Sequence, residues 1–240
     1  MKHKEANWNK LISEYDSEYH ALTDWRLGYS TVEELLGSLT GKKVLDYGCG
    51  TGKFSRRLYY LGAKVIGVDN SKEAIKIARK KSPKEIVYKT IKETRLNFIQ
   101  NESLDFVVVN FVLCCIKNTK EISKILKEIY KKLKSNGKLI ILDPHPNSIG
   151  HYYVSSIRKK PKLVFNGAPI RVHLLGMTES FYDYWISKKN YVEILESEKF
   201  KIKEIKEPII SSSNKEKFWK DERMHPPFII IEAVKNGNYN

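Results

Sequence analysis

The feature that most constrains the fold of this chain is an alternation of short β-branched runs with longer segments of helical period. It extends from about residue 42 to residue 143. The predicted strands are 44–47, 64–69, 86–91, 104–110 and 138–143. The predicted helices are 52–61, 72–81 and 121–133. Strands that alternate with helices form a parallel sheet covered on both faces. The pattern therefore predicts an α/β fold.

The two flanks of this region have different patterns. The first forty residues are predicted to be helical, with an apolar face formed by Trp8, Leu11, Ile12, Tyr15 and Tyr19. Residues 144–176 are rich in Pro, Gly, Ser and aromatic side chains, which predicts an insertion over the sheet edge. A helix over 181–198 and strands over 200–207 and 228–234 are predicted to complete the chain.

The charge of the chain raises the question of an anionic partner. The 240 residues include 43 Lys+Arg and 28 Asp+Glu, a formal net charge of +15. However, 35 of the 43 basic residues are lysines, whereas proteins that read bases and phosphates favour arginine. The lysines are also scattered, so we interpret most of the charge as solvated helix faces and consider a nucleic-acid partner unfavoured.

Membrane, export and metal sites are not indicated. The longest apolar stretch, around 106–116, is interrupted by Asn110 and is too short to span a bilayer. The first ten residues contain no apolar signal-peptide core, and we expect a cytoplasmic protein. Three cysteines, Cys49, Cys114 and Cys115, cannot form a disulfide framework or a four-ligand zinc site. We therefore expect no metal.

The most informative motif runs from Val44 to Gly52 and reads VLDYGCGTG. It joins a predicted strand to a predicted helix, the place where open parallel sheets bind ligands. Its three glycines allow a tight turn and a close approach of backbone to ligand. Because Gly52 is followed by Lys53 and Phe54, the motif is neither a dinucleotide fingerprint nor a P-loop. What remains is an acidic residue at a strand end followed by G-x-G-x-G.

This motif resembles the first motif of the class I S-adenosylmethionine-dependent methyltransferases, in the small-molecule branch that includes quinone and secondary-metabolite enzymes. Asp69 ends the next predicted strand, 17 positions after Gly52, where the family's acidic residue binds the ribose hydroxyls. The resemblance implies S-adenosylmethionine as cofactor. It also implies a Rossmann-like, mostly parallel seven-stranded sheet in the order 3-2-1-4-5-7-6, with helices on both faces, an N-terminal helical lid and an insertion after strand five.

The resemblance also implies a set of cofactor-binding residues. They are Asp46, Gly48, Cys49, Gly50, Gly52, Asp69, Asn70, Glu93, Asn110, Phe111, Val112 and Tyr19. Two positions depart from the family pattern. The acidic residue expected after strand three is replaced by Lys92, so either Glu93 takes its role or the pair forms a solvated turn. Cys114 and Cys115 stand where family members often carry two histidines.

The acceptor site is less constrained by the sequence. A sulfonium carries an already activated methyl group, so the enzyme mainly aligns the acceptor, and a base is needed only if the acceptor must lose a proton. His145 is the candidate base and Tyr15 a second candidate; the alternatives are a loop histidine held between two prolines and a packing tyrosine. The candidate substrate-binding residues are Arg171, Tyr184 and Trp185, with Arg158 as a further partner for an acidic group on the acceptor.

We therefore expect methyl transfer from S-adenosylmethionine to a nitrogen or oxygen atom of a small, planar or aromatic metabolite, by a monomer or homodimer. One domain is expected, with a lid at 1–40, a cofactor-binding core at 41–143, a substrate-covering insertion and helix at 144–199, and C-terminal strands at 200–240. Two alternatives stay open. An RNA methyltransferase is disfavoured because Asn110 is not followed by the prolines of the base-binding box. The other is a catalytically silent, cofactor-binding scaffold.

Overall fold

The computed structural model describes residues 11–12, 14–16, 21–92 and 94–236. Ten strands occur among them: β1 Lys43–Tyr47, β2 Lys64–Asp69, β3 Val87–Thr90, β4 Leu104–Asn110, β5 Leu133–Pro144, β6 Ser156–Arg158, β7 Pro169–Leu174, β8 Phe181–Tyr184, β9 Phe200–Lys206 and β10 Phe228–Lys235. The α-helices of at least seven residues are α1 Ser30–Leu36, α2 Lys53–Tyr60, α3 Lys72–Lys81, α4 Thr119–Lys132 and α5 Lys188–Ser197. A π-helix, Asp24–Tyr29, leads directly into α1.

Seven strands form one sheet in the order β3-β2-β1-β4-β5-β10-β9. The first five strands pair in parallel, and β10 is antiparallel to both of its neighbours. Numbered within this sheet alone, the order is 3-2-1-4-5-7-6, which confirms the prediction. The direction of winding reverses between β1 and β4, so a crevice is expected where their carboxyl ends separate.

Side chains alternate between the two faces of the sheet, as the pleat of a strand requires. Val44 and Val108 pack with α1, α2 and α3 in one apolar cluster. Leu45 follows Val44 on β1, and Val107 precedes Val108 on β4, so both point to the opposite face. They pack with α4 and α5 in a second apolar cluster. The helices therefore cover both faces, as the strand–helix alternation predicts.

The prediction of a helix over 181–198 is wrong in its first part. Residues 181–184 form β8, and α5 begins only after Ser187, whose Oγ accepts a hydrogen bond from the Asn190 backbone N–H at 3.0 Å. Aromatic residues favour strands, and β8 gains a pairing partner in β7. The capping hydroxyl then fixes where the helix starts.

The insertion contains a small sheet that the sequence did not predict. Strands β6, β7 and β8 pair antiparallel in that order. Ile170, Val172 and Phe181 form a separate apolar cluster with Leu11 of the N-terminal segment. The insertion is thereby packed against the start of the described chain. None of the helices in the described ranges is long and apolar enough to cross a membrane.

The buried face of α4 provides a test of the packing. Ile129 is fully buried in the apolar cluster beneath this helix, whereas Lys127 is exposed on its other side. We expect Ile129→Ala to lower the free energy of unfolding by about 2–5 kcal/mol, because it removes apolar contacts and leaves a cavity. Lys127→Ala should change it by less than about 0.5 kcal/mol. Urea unfolding followed by circular dichroism measures both; equal effects would contradict the packing.

Candidate functional site

A cavity of about 590 Å³ opens at the carboxyl ends of β1, β2 and β4. One side is formed by the strand ends and their loops, including residues 46–51, 69–71, 91–92 and 110–112. The other side is formed by the N-terminal segment, the π-helix and the insertion strands β7 and β8. This is the crevice that the strand order predicts.

The glycine loop after β1 is held between the end of β2 and the loop after β4. The N–H groups of Gly48 and Cys49 both donate to the carbonyl oxygen of Val68, at 2.7 and 2.9 Å. Gly48 has a φ of +76°, and a Cβ there would lie 2.2 Å from Val112 Cγ2, so the loops after β1 and β4 meet at this point. A Cβ on Gly50 would have no atom within 4 Å and would extend into open space. The loop therefore presents bare backbone to the cavity.

Gly52 has a different role from the other two glycines. It caps α2 with a φ of +74°, and a Cβ there would lie 2.3 Å from the hydroxyl of Tyr88 on β3. It does not line the cavity, whereas Cys49 and Asn70 do. Gly52 therefore allows close packing of α2 against β3.

Asp69 links the end of β2 to the glycine loop. Its Oδ2 accepts from the Gly50 N–H at 2.9 Å, and its Oδ1 accepts from the Ser71 N–H at 2.8 Å. Burial raises the pKa of Asp69 above its ordinary value, although these backbone hydrogen bonds act in the opposite direction. Each carboxylate oxygen has a further lone pair, so Asp69 retains the capacity to accept ligand hydroxyls.

Asp46 lies deeper, at the end of β1. It is buried, and its Oδ2 accepts a hydrogen bond from Ser55 Oγ at 2.5 Å. Burial raises the pKa of Asp46 to about 7, the Ser55 hydroxyl opposes this shift, and the nearby Asp69 charge adds to it. A cationic ligand in the cavity would favour the ionised form of Asp46.

The end of β4 carries a buried amide without a partner among the described residues. Both the Oδ1 and Nδ2 atoms of Asn110 are buried and lack hydrogen bonds, although the side chain lines the cavity. The next residue, Phe111, has a φ of +56°, which is uncommon for a residue other than glycine. Its ring packs edge-on against Tyr29 and Phe228. Strained backbone and an unpaired amide at one position are features of a ligand site.

These residues fit S-adenosylmethionine. Asp69 has spare acceptor capacity for ribose hydroxyls, Gly50 leaves open space, and Asn110 has an amide that a ligand can satisfy. Asp46 and the loop around Gly48 would bind near the methionine end. The cofactor supplies an electrophilic methyl group; the protein's part is to bind, orient and exclude water.

The predicted N-terminal contacts are brought to the cavity only in part. Tyr15 lines it, and burial raises the pKa of its hydroxyl further above 10, so the group stays protonated and is a hydrogen-bond donor rather than a base. Tyr19 and Glu93 lie outside the described residues. Lys92, which precedes Glu93, lines the cavity at the end of β3.

His145 is not brought to the cavity. Its Nδ1 accepts from the Asn147 N–H at 3.0 Å, so Nε2 carries the proton and donates to Glu207 Oε1 at 3.1 Å. Burial lowers the pKa of His145, although Glu207 opposes the shift. Both ring nitrogens are occupied, and the backbone N–H of His145 donates to the Pro227 carbonyl oxygen at 2.8 Å, next to the start of β10. The geometry supports a structural histidine.

The predicted substrate-binding residues also lie outside the cavity wall. Arg171 is exposed, because it alternates with Val172 on β7 and only Val172 faces the cavity. Tyr184 is buried elsewhere, and Trp185 Nε1 donates to the Pro146 carbonyl oxygen at 2.8 Å. Arg158 does line the cavity, but its charge is neutralised by Asp183 at 2.6 Å. The Nε atom of Arg158 is buried and has no hydrogen-bond partner among the described residues, so the pairing of Arg158 with an acidic group on the acceptor stays a prediction.

Several cavity residues were missed by sequence reasoning. Asp24, Trp25 and Tyr29 reach the cavity from the π-helix, and Asp183 reaches it from β8. A π-helix has no distinct sequence signal, and it commonly occurs at functional sites. The aromatic residues around Asp183 are typical of a strand and could have indicated β8, whereas the sequence analysis predicts a helix there.

The ribose-binding role of Asp69 can be tested directly. We expect Asp69→Ala to weaken S-adenosylmethionine binding about 10- to 100-fold, because a charged acceptor of ligand hydroxyls is lost. Glu73→Ala removes a carboxylate from the outer side of nearby α3 and should leave the affinity for S-adenosylmethionine unchanged. Isothermal titration calorimetry measures both, and an unchanged affinity for Asp69→Ala would contradict the assignment.

The raised pKa of Asp46 predicts a pH dependence of stability. Between about pH 4 and 7 the folded protein retains a proton that the unfolded chain releases, so the free energy of unfolding falls as pH rises. Asp46→Asn should reduce this fall but not abolish it, since buried Asp143 also has a pKa of about 7. Urea unfolding across this range measures the slope.

Asp105→Asn is the matched control for this experiment. Partial burial opposes the shift, but the hydrogen bonds from Lys134 and the Lys43 N–H lower the pKa of Asp105. The contribution of Asp105 to the free energy of unfolding is lost only as pH falls below about 4. Above that pH, the free energy of unfolding of Asp105→Asn should therefore change with pH as it does in the unmodified protein. A slope that Asp46→Asn leaves unchanged would contradict the buried, protonated carboxyl.

Comparisons with known proteins agree with this geometry. Residues 45–141 match a family model described as a methyltransferase domain. N-demethylindolmycin N-methyltransferase of Streptomyces griseus is 28% identical over 208 residues, covering 81% of this chain and 87% of that protein. Ubiquinone biosynthesis O-methyltransferase of Idiomarina loihiensis is 35% identical over 180 residues, covering 71% and 67%.

A solved structure shows the same fold. The S-adenosylmethionine-dependent methyltransferase of Mesorhizobium loti superposes with a TM-score of 0.67 at 17% identity, covering 88% of this chain and 97% of that one. With the family model, the Idiomarina relative and the glycine-loop site taken together, the chain belongs to the S-adenosylmethionine-dependent methyltransferases.

Proposed function

We propose that this methyltransferase transfers the methyl group of S-adenosylmethionine to a nitrogen or oxygen atom of a small, planar or aromatic metabolite. The observation that carries the proposal is a group of aromatic side chains in the lining of the cavity, here called the aromatic wall. Trp25, Tyr29, Phe111 and Phe228 all contribute to it. Aromatic faces and edges favour flat, apolar partners.

The aromatic wall is held in place by ring contacts. Tyr29 stacks on Phe54 with centroids 4.7 Å apart, and Trp25 lies 4.6 Å from Tyr29. Phe111 packs edge-on against Phe228 at 5.4 Å. Because these rings support one another, the wall keeps its shape in the absence of a ligand, which reduces the entropy lost on binding.

The dimensions and cover of the cavity support a small acceptor. A volume of about 590 Å³ falls within the range of roughly 300–1,000 Å³ typical of small-molecule sites. Val172 on β7 and residues 181–183 on β8 place the insertion over the side opposite the strand ends. The two relatives are named for N- and O-methylation, which supports these two acceptor atoms.

The described residues would contribute to the reaction mainly by orientation. The strand-end loops position the cofactor, and the aromatic wall positions the acceptor beside it, which raises the effective concentration of the reacting atoms. Tyr15 lines the cavity, and because burial raises the pKa of its hydroxyl, the group stays protonated and does not serve as a base. Water is displaced by the apolar walls when both ligands bind.

The class of acceptor can be tested with methyl-labelled S-adenosylmethionine. The purified protein is incubated with the dialysable small-molecule fraction of a cell extract. In a separate reaction it is incubated with total RNA from the same cells. We expect label in the small-molecule fraction and none in RNA. Label that enters RNA, or no transfer to the dialysable fraction, would contradict the proposal.

The aromatic wall predicts a variant that affects only the acceptor. Trp25→Ala should raise the KM for the acceptor about tenfold by removing part of the wall, while the affinity for S-adenosylmethionine stays unchanged. Tyr152→Ala removes an exposed ring of the insertion outside this cavity and is the matched control. Steady-state kinetics and calorimetry separate the two effects. A Trp25→Ala variant that loses cofactor affinity would place this wall beside the cofactor instead.

A further inference from the structure

The turn after β4 places two adjacent thiols in the cavity wall, opposite a carboxylate of the insertion. Cys114 Sγ and Cys115 Sγ lie 4.0 Å apart, and Cys115 Sγ lies 3.9 Å from Asp183 Oδ1. One ligand atom from each of the three residues falls within 4.8 Å of the others. All three residues line the cavity. The cluster has no part in the cofactor contacts described above.

These separations are close to those of a tetrahedral zinc site. With zinc–sulfur bonds of about 2.3 Å and zinc–oxygen bonds of about 2.0 Å, tetrahedral angles place two sulfurs about 3.8 Å apart and a sulfur and an oxygen about 3.5 Å apart. The pairs at 4.0 and 3.9 Å need to close by only a few tenths of an ångström. The ligand atoms of the remaining pair, Cys114 and Asp183, lie within 4.8 Å of each other and need to close by at most about 1.3 Å. The three side chains therefore lie near one another before any ion binds.

Arg158 orients the carboxylate of this cluster. Its Nη1 donates to Asp183 Oδ2 at 2.6 Å, and both side chains are buried. Oδ1 is left on the side of the thiols. A second partner that fixes a metal-binding carboxylate in this way is a regular feature of metal sites.

The charge of the cluster also balances with a divalent cation. Two thiolates, one carboxylate and one guanidinium sum to −2, and a divalent ion brings the buried group to zero. The two protonated thiols with the Arg158–Asp183 pair are neutral as well. Exchange of two protons for one ion therefore leaves no net charge to be buried, which avoids the usual penalty.

We propose that Cys114, Cys115 and Asp183 bind one zinc ion, with the fourth coordination position open to the cavity. Two sulfur ligands select a thiophilic cation over magnesium or calcium. Three protein ligands and an open position are typical of reactive rather than purely structural zinc sites. The expectation of no metal considered only the cysteines, whereas here a carboxylate 68 positions after Cys115 completes the set.

The test uses tag-free protein freed of metal with a chelator and titrated with cobalt(II), which reports thiolate ligands by its charge-transfer absorption. We expect this band to saturate at one equivalent, with visible bands of four-coordinate cobalt, and to disappear when zinc is added. Cys115→Ser and Cys114→Ser should each reduce the band, whereas Asp183→Asn should retain it with cobalt affinity lowered about 10- to 100-fold. Cys49→Ser, which changes the remaining cysteine, should leave the spectrum unchanged.

A measurement on the unmodified protein makes the test independent of how the variants fold. Zinc should slow alkylation of Cys114 and Cys115 by iodoacetamide, read by peptide mass spectrometry, and two protons should be released per ion bound. No thiolate–cobalt band at one equivalent, or equal alkylation with and without zinc, would overturn the proposal. Calorimetry with S-adenosylmethionine on the same samples shows separately whether the cofactor site is intact.

Discussion

The site depends on the contact between two loops that leave the sheet at β1 and β4. Gly48 lies so close to Val112 that no side chain fits between them, and the Gly50 N–H is bound by Asp69 from the neighbouring strand. Parallel strands bring these loops to one edge, and the glycines allow them to meet. The cofactor half of the cavity is therefore a consequence of sheet topology together with a few backbone contacts.

The lining of the cavity carries charges of both signs, unlike the strongly basic chain as a whole. The formal net charge is +15, whereas five carboxyl groups and four cationic side chains line the cavity: Asp24, Asp46, Asp69, Glu121 and Asp183, with Lys53, Lys92, Lys117 and Arg158. Burial raises the pKa of Asp46 and Asp69, so a bound cation strengthens their ionised forms. The cavity can therefore offer partners of opposite charge both to the sulfonium and to the carboxylate of S-adenosylmethionine.

The core and the cofactor loops could be predicted from the sequence because they arise from local patterns. Buried parallel strands such as β4 appear as continuous β-branched runs, and the glycine motif appears as spacing alone. The insertion side of the cavity could not be predicted, because its antiparallel strands pair residues that are distant in sequence. Arg158 meets Asp183 only through that pairing, and His145 follows a strand end yet faces Glu207.

The two halves of the cavity are joined mainly through Phe111. Its backbone N–H donates to Leu142 of β5, while its ring contacts Tyr29 of the π-helix and Phe228 of β10. The loops after β1 and β2 and the insertion strands β7 and β8 line the same cavity as this ring. Substitutions on β7 and β8 can therefore change the insertion side of the cavity without altering the loops after β1 and β2, whereas a change at Phe111 would disturb the ring contacts with both the π-helix and β10.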